Sequence, residues 1–449
     1  MTSPSTPAPR LAALRHRDFR LLWGGGLVSE IGSQMQVVAV NWHVYQLLRG
    51  DTYTLVLGAW RLHLGAGALG LGLLGLARVL PILLLSLLGG LVADTLDRRT
   101  LIVGAQIAAA AVSALLAALT LTGRVTLAAL YLLTALGVAV SAFDEPAQQA
   151  LVPHLVPRAH LTNAVSLFTL VWQIGTVAGP GLAGLVIARA GVGVVYALNA
   201  ASFVAVVLAV GALRYRGRSG VGRGGVGRGG VGRGGVAATG VSVAALREGL
   251  RFTRRTRLVW STMLLDFYAT FFSSARTMLP IVADRLLHAG APGYGLLATA
   301  QPLGAVLAGV ALALRRDIRR QGVALLAGVA VYGVATALFG VSTIFAVSYA
   351  LFALTGAGDT VSTVIRATLR QTLTPDHLRG RIASVHMMLA MGGPQLGELE
   401  AGLVAALWSA PVAIVTGGVA TVLLTAWVAW RQPGLRRYRS DARMDRPLS

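Results

Sequence analysis

The sequence predicts an all-α integral membrane protein of twelve transmembrane helices, arranged as two six-helix bundles. Three observations predict it. Of the 449 residues, 55% are hydrophobic and 12% are charged, about half the charged share of a soluble domain. Apolar runs of about twenty residues recur along the chain, each long enough to cross a bilayer. The second half also repeats a pattern of the first.

Taken in order, the apolar runs are 19–47, 66–92, 100–122, 126–144, 163–188 and 192–213, then 257–284, 293–314, 322–341, 344–365, 382–407 and 410–430. They divide the chain into an N-terminal tail (1–18), a first bundle (19–213), a Gly/Arg-rich linker (214–256), a second bundle (257–430) and a C-terminal tail (431–449). No apolar stretch precedes Phe19, so no cleaved signal peptide is expected and the first span serves as its own insertion signal. The linker contains Arg223-Gly-Gly-Val-Gly, Arg228-Gly-Gly-Val-Gly and Arg233-Gly-Gly-Val, a composition that cannot bury a core and reads as flexible spacer. The repeat lacks aromatic residues for stacking on bases, so no nucleic-acid partner is expected.

The net charge is +22, and every basic side chain is an arginine. Arginine gathers in the tails and in alternate connections: Arg98 and Arg99, Arg158, Arg214 to Arg257, Arg315 to Arg320, and Arg366 to Arg381. The positive-inside rule then places both termini in the cytoplasm of a multi-pass plasma (inner) membrane protein, with the charge facing anionic lipid. Absence of lysine excludes a P-loop ATPase within this chain, and absence of cysteine excludes disulfides and thiol chemistry. The histidines His43, His63, His154, His160, His377 and His386 lack metal-ligand spacing. No nucleophile, base and orienting acid stand at motif spacing, so no enzyme is expected.

A shift of 218 positions superposes the repeat without a gap. Leu151, Leu155, Pro157 and Ser166 fall on Leu369, Leu373, Pro375 and Ser384, and Gly175, Gly179 and Gly184 fall on Gly393, Gly397 and Gly402. Two parallel halves account for this pattern.

Between the second and third runs, Gly90-Leu-Val-Ala-Asp94-Thr-Leu-Asp97-Arg98-Arg99 resembles the signature loop of the major facilitator superfamily, G-x-x-x-D-(R/K)-x-G-(R/K)-(R/K). The match is at Gly90, Asp94, Arg98 and Arg99, while Thr95 and Asp97 depart from it. Asp before the Arg pair is similar to the branch of enterobactin-exporter-like and macrolide-efflux-like transmembrane secretion effectors. Physically, Gly90 permits close packing, Asp94 suits a helix N-terminus, and the arginines can latch acids across a cytoplasmic gate. The fifth run, Gly175-Thr-Val-Ala-Gly179-Pro180-Gly-Leu-Ala183-Gly184, resembles the antiporter motif G-x-x-x-G-P-x-x-G-G with Ala183 in place of one glycine. Small residues at this spacing make a smooth helix face, and Pro180 withholds a backbone donor. The loops around Asp144-Glu-Pro and Leu373-Thr-Pro-Asp-His-Leu-Arg also resemble that branch.

The resemblance implies the major facilitator fold, a central cavity lined by spans 1, 4, 7 and 10, and export of small molecules in exchange for protons. On those spans lie the expected cargo-cavity residues Gln34, Asn41, Tyr45, Thr134, Ser141, Thr270, Ser273, Thr277 and Thr355. A charge at the bilayer centre costs about 2.5–3.5 kcal/mol even on the mild insertion scale, so ionisable groups there point to an aqueous route. Glu30 and Asp266, at mid-span where a carboxyl group can trade its proton, are the leading proton-coupling candidates. Asp359 and Asp144 follow, with Arg98 as an alternative partner for Asp144. Spans 2 and 11 meet across the halves in this family, so Arg78 is expected to pair with Glu398 or Glu400. Those two acids point to different faces, and at most one is the partner. Span 4 lacks the intramembrane arginine of many drug–proton antiporters, which Arg78 or Arg276 would replace.

The reading is therefore a proton antiporter acting by alternating access on drug-like or siderophore-like amphipathic cargo. It acts as a monomer, with no cofactor besides the proton gradient. A proton-coupled importer on the same fold and a non-transporting sensor or scaffold are the alternatives.

Overall fold

The computed structural model describes residues 11–57, 60–95, 97–215, 251, 257–272, 275–315, 318–374 and 378–438. Within the helices, the side chains at 83, 86–95, 257, 379–381, 383–385 and 387–392 lie outside the description. The first half comprises α1 (Arg17–Leu48), α2 (Ala66–Thr95), α3 (Arg98–Leu121), α4 (Leu127–Leu155), α5 (Leu161–Ala190) and α6 (Val192–Gly211). The second comprises α7 (Arg257–Phe272), α8 (Ala275–Ile281), α9 (Gly290–Leu314), α10 (Gln321–Val341), α11 (Phe345–Leu373), α12 (Arg379–Leu407) and α13 (Ala410–Arg431). Together they form two six-helix bundles, with α7 and α8 making up one span.

Several ends are set by local chemistry. Thr126 accepts from the Ala129 amide at 3.2 Å and caps α4, satisfying one of the donors that a helix start leaves free. Gly191, at φ 80, turns α5 directly into α6, a conformation that a Cβ would strain. Inside the bundles, α1 packs on α5 and α6, α3 on α4 and α6, α10 on α11 and α13, and α7 on α12.

Four differences from the sequence expectation have physical causes. The fourth and tenth apolar runs, expected to end at 144 and 365, continue as helix to Leu155 and Leu373. Hydropathy marks only the stretch inside lipid, and the extensions bury Ala147, Leu151, Val152 and Leu155 of α4 and Arg366 and Leu369 of α11 while polar residues such as Glu145, Gln149, Gln371 and Thr372 are exposed. The seventh span, described on either side of 273–274, ends in a turn of π-helix (Val282–Leu286) that follows α8. Pro280 withholds a backbone donor there. The stretch between α1 and α2 is an antiparallel hairpin of β1 (Thr52–Leu57) and β2 (Trp60–Gly65), which rests on α12. Finally, the tails begin further from the bundles than expected. Ala12 and Ala13 are buried, the Ala13 amide donating to Asn163 Oδ1 at 3.0 Å, and Leu435 is buried against the start of α10.

The two bundles are joined at one end. A single apolar core at the end bearing the hairpin draws residues from both halves, among them Trp42, Leu71, Ala183, Met278, Tyr294 and Ala405. At the opposite, arginine-rich end the cores are separate: one around Phe19, Ile102, Leu151 and Val210, another around Leu265, Leu325 and Leu369. Glycines close the hairpin end. A Cβ on Gly184 of α5 would stand 2.8 Å from Gly295 Cα of α9, and one on Gly72 of α2 would stand 2.9 Å from Gly402 Cα of α12. Gly184 and Gly402 are equivalent positions of the sequence repeat, so the repeat marks two symmetry-related contacts between the halves.

Candidate functional site: a central cavity between the bundles

Between the separated ends lie two contiguous cavities that share Gln34 and Trp172. The larger, about 770 Å³, is lined from both halves, including Arg276, Thr277, Gln301, Thr355, Asp359 and Glu398. The smaller, about 550 Å³, lies in the first half, among residues of α1, α3, α4, α5 and α6. Of the expected cargo residues, Gln34, Thr270, Thr277 and Thr355 line the larger cavity, and Ser141 lines the smaller.

Glu30 lines the smaller cavity and accepts from Gln34 Nε2 at 2.8 Å. Its position follows from the fifth-span glycines. A Cβ at Gly175 would meet the Glu30 side chain and one at Gly179 would meet Gln34, so the small residues seat this face of α1 on α5. In the second half, Gly393 in turn faces Thr270 and Phe267 of α7. Pro180 lies buried in the same α5 face.

Asp144 lines the same cavity. Because α4 runs on to Leu155, Asp144 sits eleven residues inside the helix end. Its Oδ2 accepts from Gln106 and Gln148, each at 2.7 Å. The suggested Arg98 partnership does not form here. Arg98 Nη1 donates to the Ala150 carbonyl at 3.0 Å and meets His154 Nε2 at 2.8 Å, while Arg99 donates to the Gly211 carbonyl at 2.7 Å. The Gly90 and Asp94 side positions and Ser273, together with the Arg-Gly linker, lie outside the described residues.

Asp266 occupies a different setting from the one expected. It lies behind the cavity wall, 2.8 Å from Arg366 Nη2 and 3.7 Å from His386 Nδ1. Arg366 also reaches Asp359 at 3.5 Å, and Asp359 faces the larger cavity. Arg366 is 2% exposed. The intramembrane arginine sought at Arg78 or Arg276 thus has its most buried representative in Arg366. The tenth apolar run ends at 365, so hydropathy groups Arg366 with the loop arginines, and only the longer α11 carries it into the interior. His386, one of the histidines without metal-ligand spacing, belongs to this cluster and contacts Arg370 Nη1 at 3.1 Å.

Arg78 lies 3.6 Å from Glu398 Oε2 and donates to Asn41 Oδ1 at 2.9 Å. Of the two candidate acids, Glu398 is the one beside Arg78. Glu400 is on another face of α12 and is half-buried. Asn41 therefore belongs to the bridge between α2 and α12 rather than to the cavity wall. Tyr45 is likewise displaced from the expected cargo role. Its hydroxyl donates to Asp284 Oδ2 at 2.6 Å, and Arg49 approaches the same oxygen at 3.9 Å, tying α1 to the π-turn at the sealed end. Thr134 lines neither cavity, and its hydroxyl has no partner among the described residues. Sequence reading also passed over the buried network in which Ser113 and Asn199 donate to Gln36 Oε1, each at 2.8 Å. Polar residues scattered over three helices carry no local signal.

Comparison with known proteins fits this architecture. The chain is 26% identical over 369 residues to the multidrug efflux pump Tap of Mycolicibacterium fortuitum, covering 79% of this chain and 85% of that one. It is 24% identical over 424 residues to the enterobactin exporter EntS of Escherichia coli, covering 94% of each. Among solved structures, a bacterial homologue of the iron transporter ferroportin in an inward-facing state superposes with a TM-score of 0.67 at 15% identity, covering 92% of this chain and 98% of that chain. A bacterial homologue of the lysosomal transporter Spinster superposes with a TM-score of 0.62 at 13% identity, covering 97% of each. The pattern of the family described as transmembrane secretion effector matches residues 8–446; the chain is a multi-pass membrane protein of that family, a branch of the major facilitator transporters.

Proposed function

We propose that the protein is a secondary active exporter that exchanges protons for small amphipathic molecules by alternating access. One observation carries this reading: the bundles share a core at the hairpin end and part at the arginine-rich end around a cavity bearing carboxyl groups. Arginine distribution supports a cytoplasmic open end, with both termini on the cytoplasmic side of the plasma membrane. Cargo enters from the cytoplasm. The Gly184–Gly295 and Gly72–Gly402 contacts, the Tyr45–Asp284 bond and the Arg78–Glu398 pair then release as the halves rock to open outward. Glu30 and Asp266 carry the coupling protons, with Asp359 linking Asp266 to the cavity through Arg366. Protonating Asp266 would loosen its hold on Arg366 and hand that cation to Asp359. The names of the two relatives, a multidrug efflux pump and an enterobactin exporter, support export over import.

The test is proton-driven cargo movement in proteoliposomes of the purified protein. Glu30→Gln and Asp266→Asn are each expected to abolish transport driven by a pH gradient. Full activity in both would refute these carriers, and net accumulation in cells would favour the importer.

A further inference from the structure

The smaller cavity differs in chemistry from its neighbour. Three carboxyl groups line it, Glu30, Asp144 and Glu145, and neither arginine nor histidine is among its lining residues. Two buried oxygens there lack partners among the described residues: Gln106 Oε1, on a side chain 2% exposed, and Asp144 Oδ1. The same two side chains bond each other through Gln106 Nε2 and Asp144 Oδ2 at 2.7 Å. That bond commits one of the amide's two donors to the carboxylate and leaves an acceptor oxygen without a partner on each side chain. Acceptors buried without donors are costly, and such a site favours a ligand that brings N–H groups and positive charge. Trp23, Phe168 and Trp172 stand in the same wall, and aromatic faces attract cations as well as apolar rings. Trp23 is held by its Nε1 bond to the Leu167 carbonyl at 2.8 Å. The larger cavity, by contrast, carries Arg276 on its wall and Arg366 behind it.

We infer that this first-half cavity is the seat for a protonated amine, the cationic head of an amphipathic cargo, with Asp144 and Gln106 accepting its N–H bonds and Trp23 and Trp172 flanking it. The apolar remainder of the molecule extends past Gln34 and Trp172 into the larger cavity. This assignment rests on the exporter reading only for the direction in which cargo moves. It selects cationic amphiphiles over anionic siderophore-like chelates as cargo.

Equilibrium binding to the full-length purified protein tests it without requiring transport. The probes are a radiolabelled naphthylalkyl amine, its trimethylammonium counterpart and the carboxylate of the same carbon skeleton. The amine is expected to bind about tenfold or more tightly than the carboxylate, the worth of one charge-assisted hydrogen bond. It should also exceed the trimethylammonium form, which offers no N–H. Asp144→Asn and Gln106→Leu should each weaken the amine about tenfold and leave the carboxylate unchanged. Equal or tighter binding of the carboxylate by the unmodified protein overturns the assignment, whatever the variants do. Amine binding that persists while pH-driven transport is absent would refute the exporter reading and leave this one standing.

Discussion

Arg366 is the residue on which most electrostatics converge. It is buried between Asp266 and Asp359, at 2.8 and 3.5 Å, with His386 and Arg370 beyond. Removing one partner of a buried ion pair leaves an uncompensated charge and costs about 3–5 kcal/mol. Arg366→Met is therefore expected to lower the unfolding temperature of the purified protein markedly, and the double variant Arg366→Met/Asp266→Asn should recover part of the loss. An unchanged melting curve in the single variant would remove Arg366 from this structural role. Arg78 and Glu398 allow the complementary experiment. Arg78→Glu and Glu398→Arg should each lose transport, and the double swap should regain a measurable part, because the pair bridges α2 and α12. A swap as inactive as either single change would count against gating by this pair.

At the scale of helices, the glycine contacts explain why small residues recur in α5 and α12. Each approach leaves no room for a methyl group, so Gly184→Val or Gly402→Val must push two helices of opposite bundles apart. Overpacking of this kind costs about 1–3 kcal/mol, and here it falls on the closed end alone. Both variants are expected to increase thiol labelling of a cysteine introduced at the hairpin end and to reduce transport. Labelling equal to that of the parent protein would show that the contact tolerates the added group. The helix extensions α4 to Leu155 and α11 to Leu373 make a similar point. A helix whose exposed face turns polar where it leaves the lipid loses its hydropathy signal before it loses its backbone hydrogen bonds. That is why Asp144 and Arg366 looked peripheral in the sequence and prove internal.

For the whole molecule, the absence of cysteine makes paired spin labels straightforward. Labels at Thr162 and Gln371, at the arginine-rich ends of α5 and α11, should approach each other when cargo and a pH gradient drive the cycle. Labels at Thr122 and Val341, at the hairpin end, should separate. Distance distributions that stay fixed under all conditions would rule out rocking of the halves. Deleting residues 219–236 should leave transport intact, since a Gly-rich spacer contributes reach rather than contacts. Loss of all activity in that deletion would favour the scaffold alternative.

Hydropathy, arginine placement and the repeat at a shift of 218 were enough to specify twelve spans and two related halves, because lipid imposes its demands on every exposed stretch of helix independently, and the motifs at Gly90 and Gly175 carried the resemblance to the family. Local signals also picked out Glu30 and Asp266 as mid-span carboxyl groups, while the pairing of Arg78 with a span-11 acid followed from the resemblance. They could not decide which polar groups meet, since Asp266 with Arg366 and His386, or Asp144 with Gln106, are joined only when helices distant in sequence pack side by side. The choice between Glu398 and Glu400, the bonds of Asn41 to Arg78 and of Tyr45 to Asp284, and the end at which the cavity opens were all fixed by that packing.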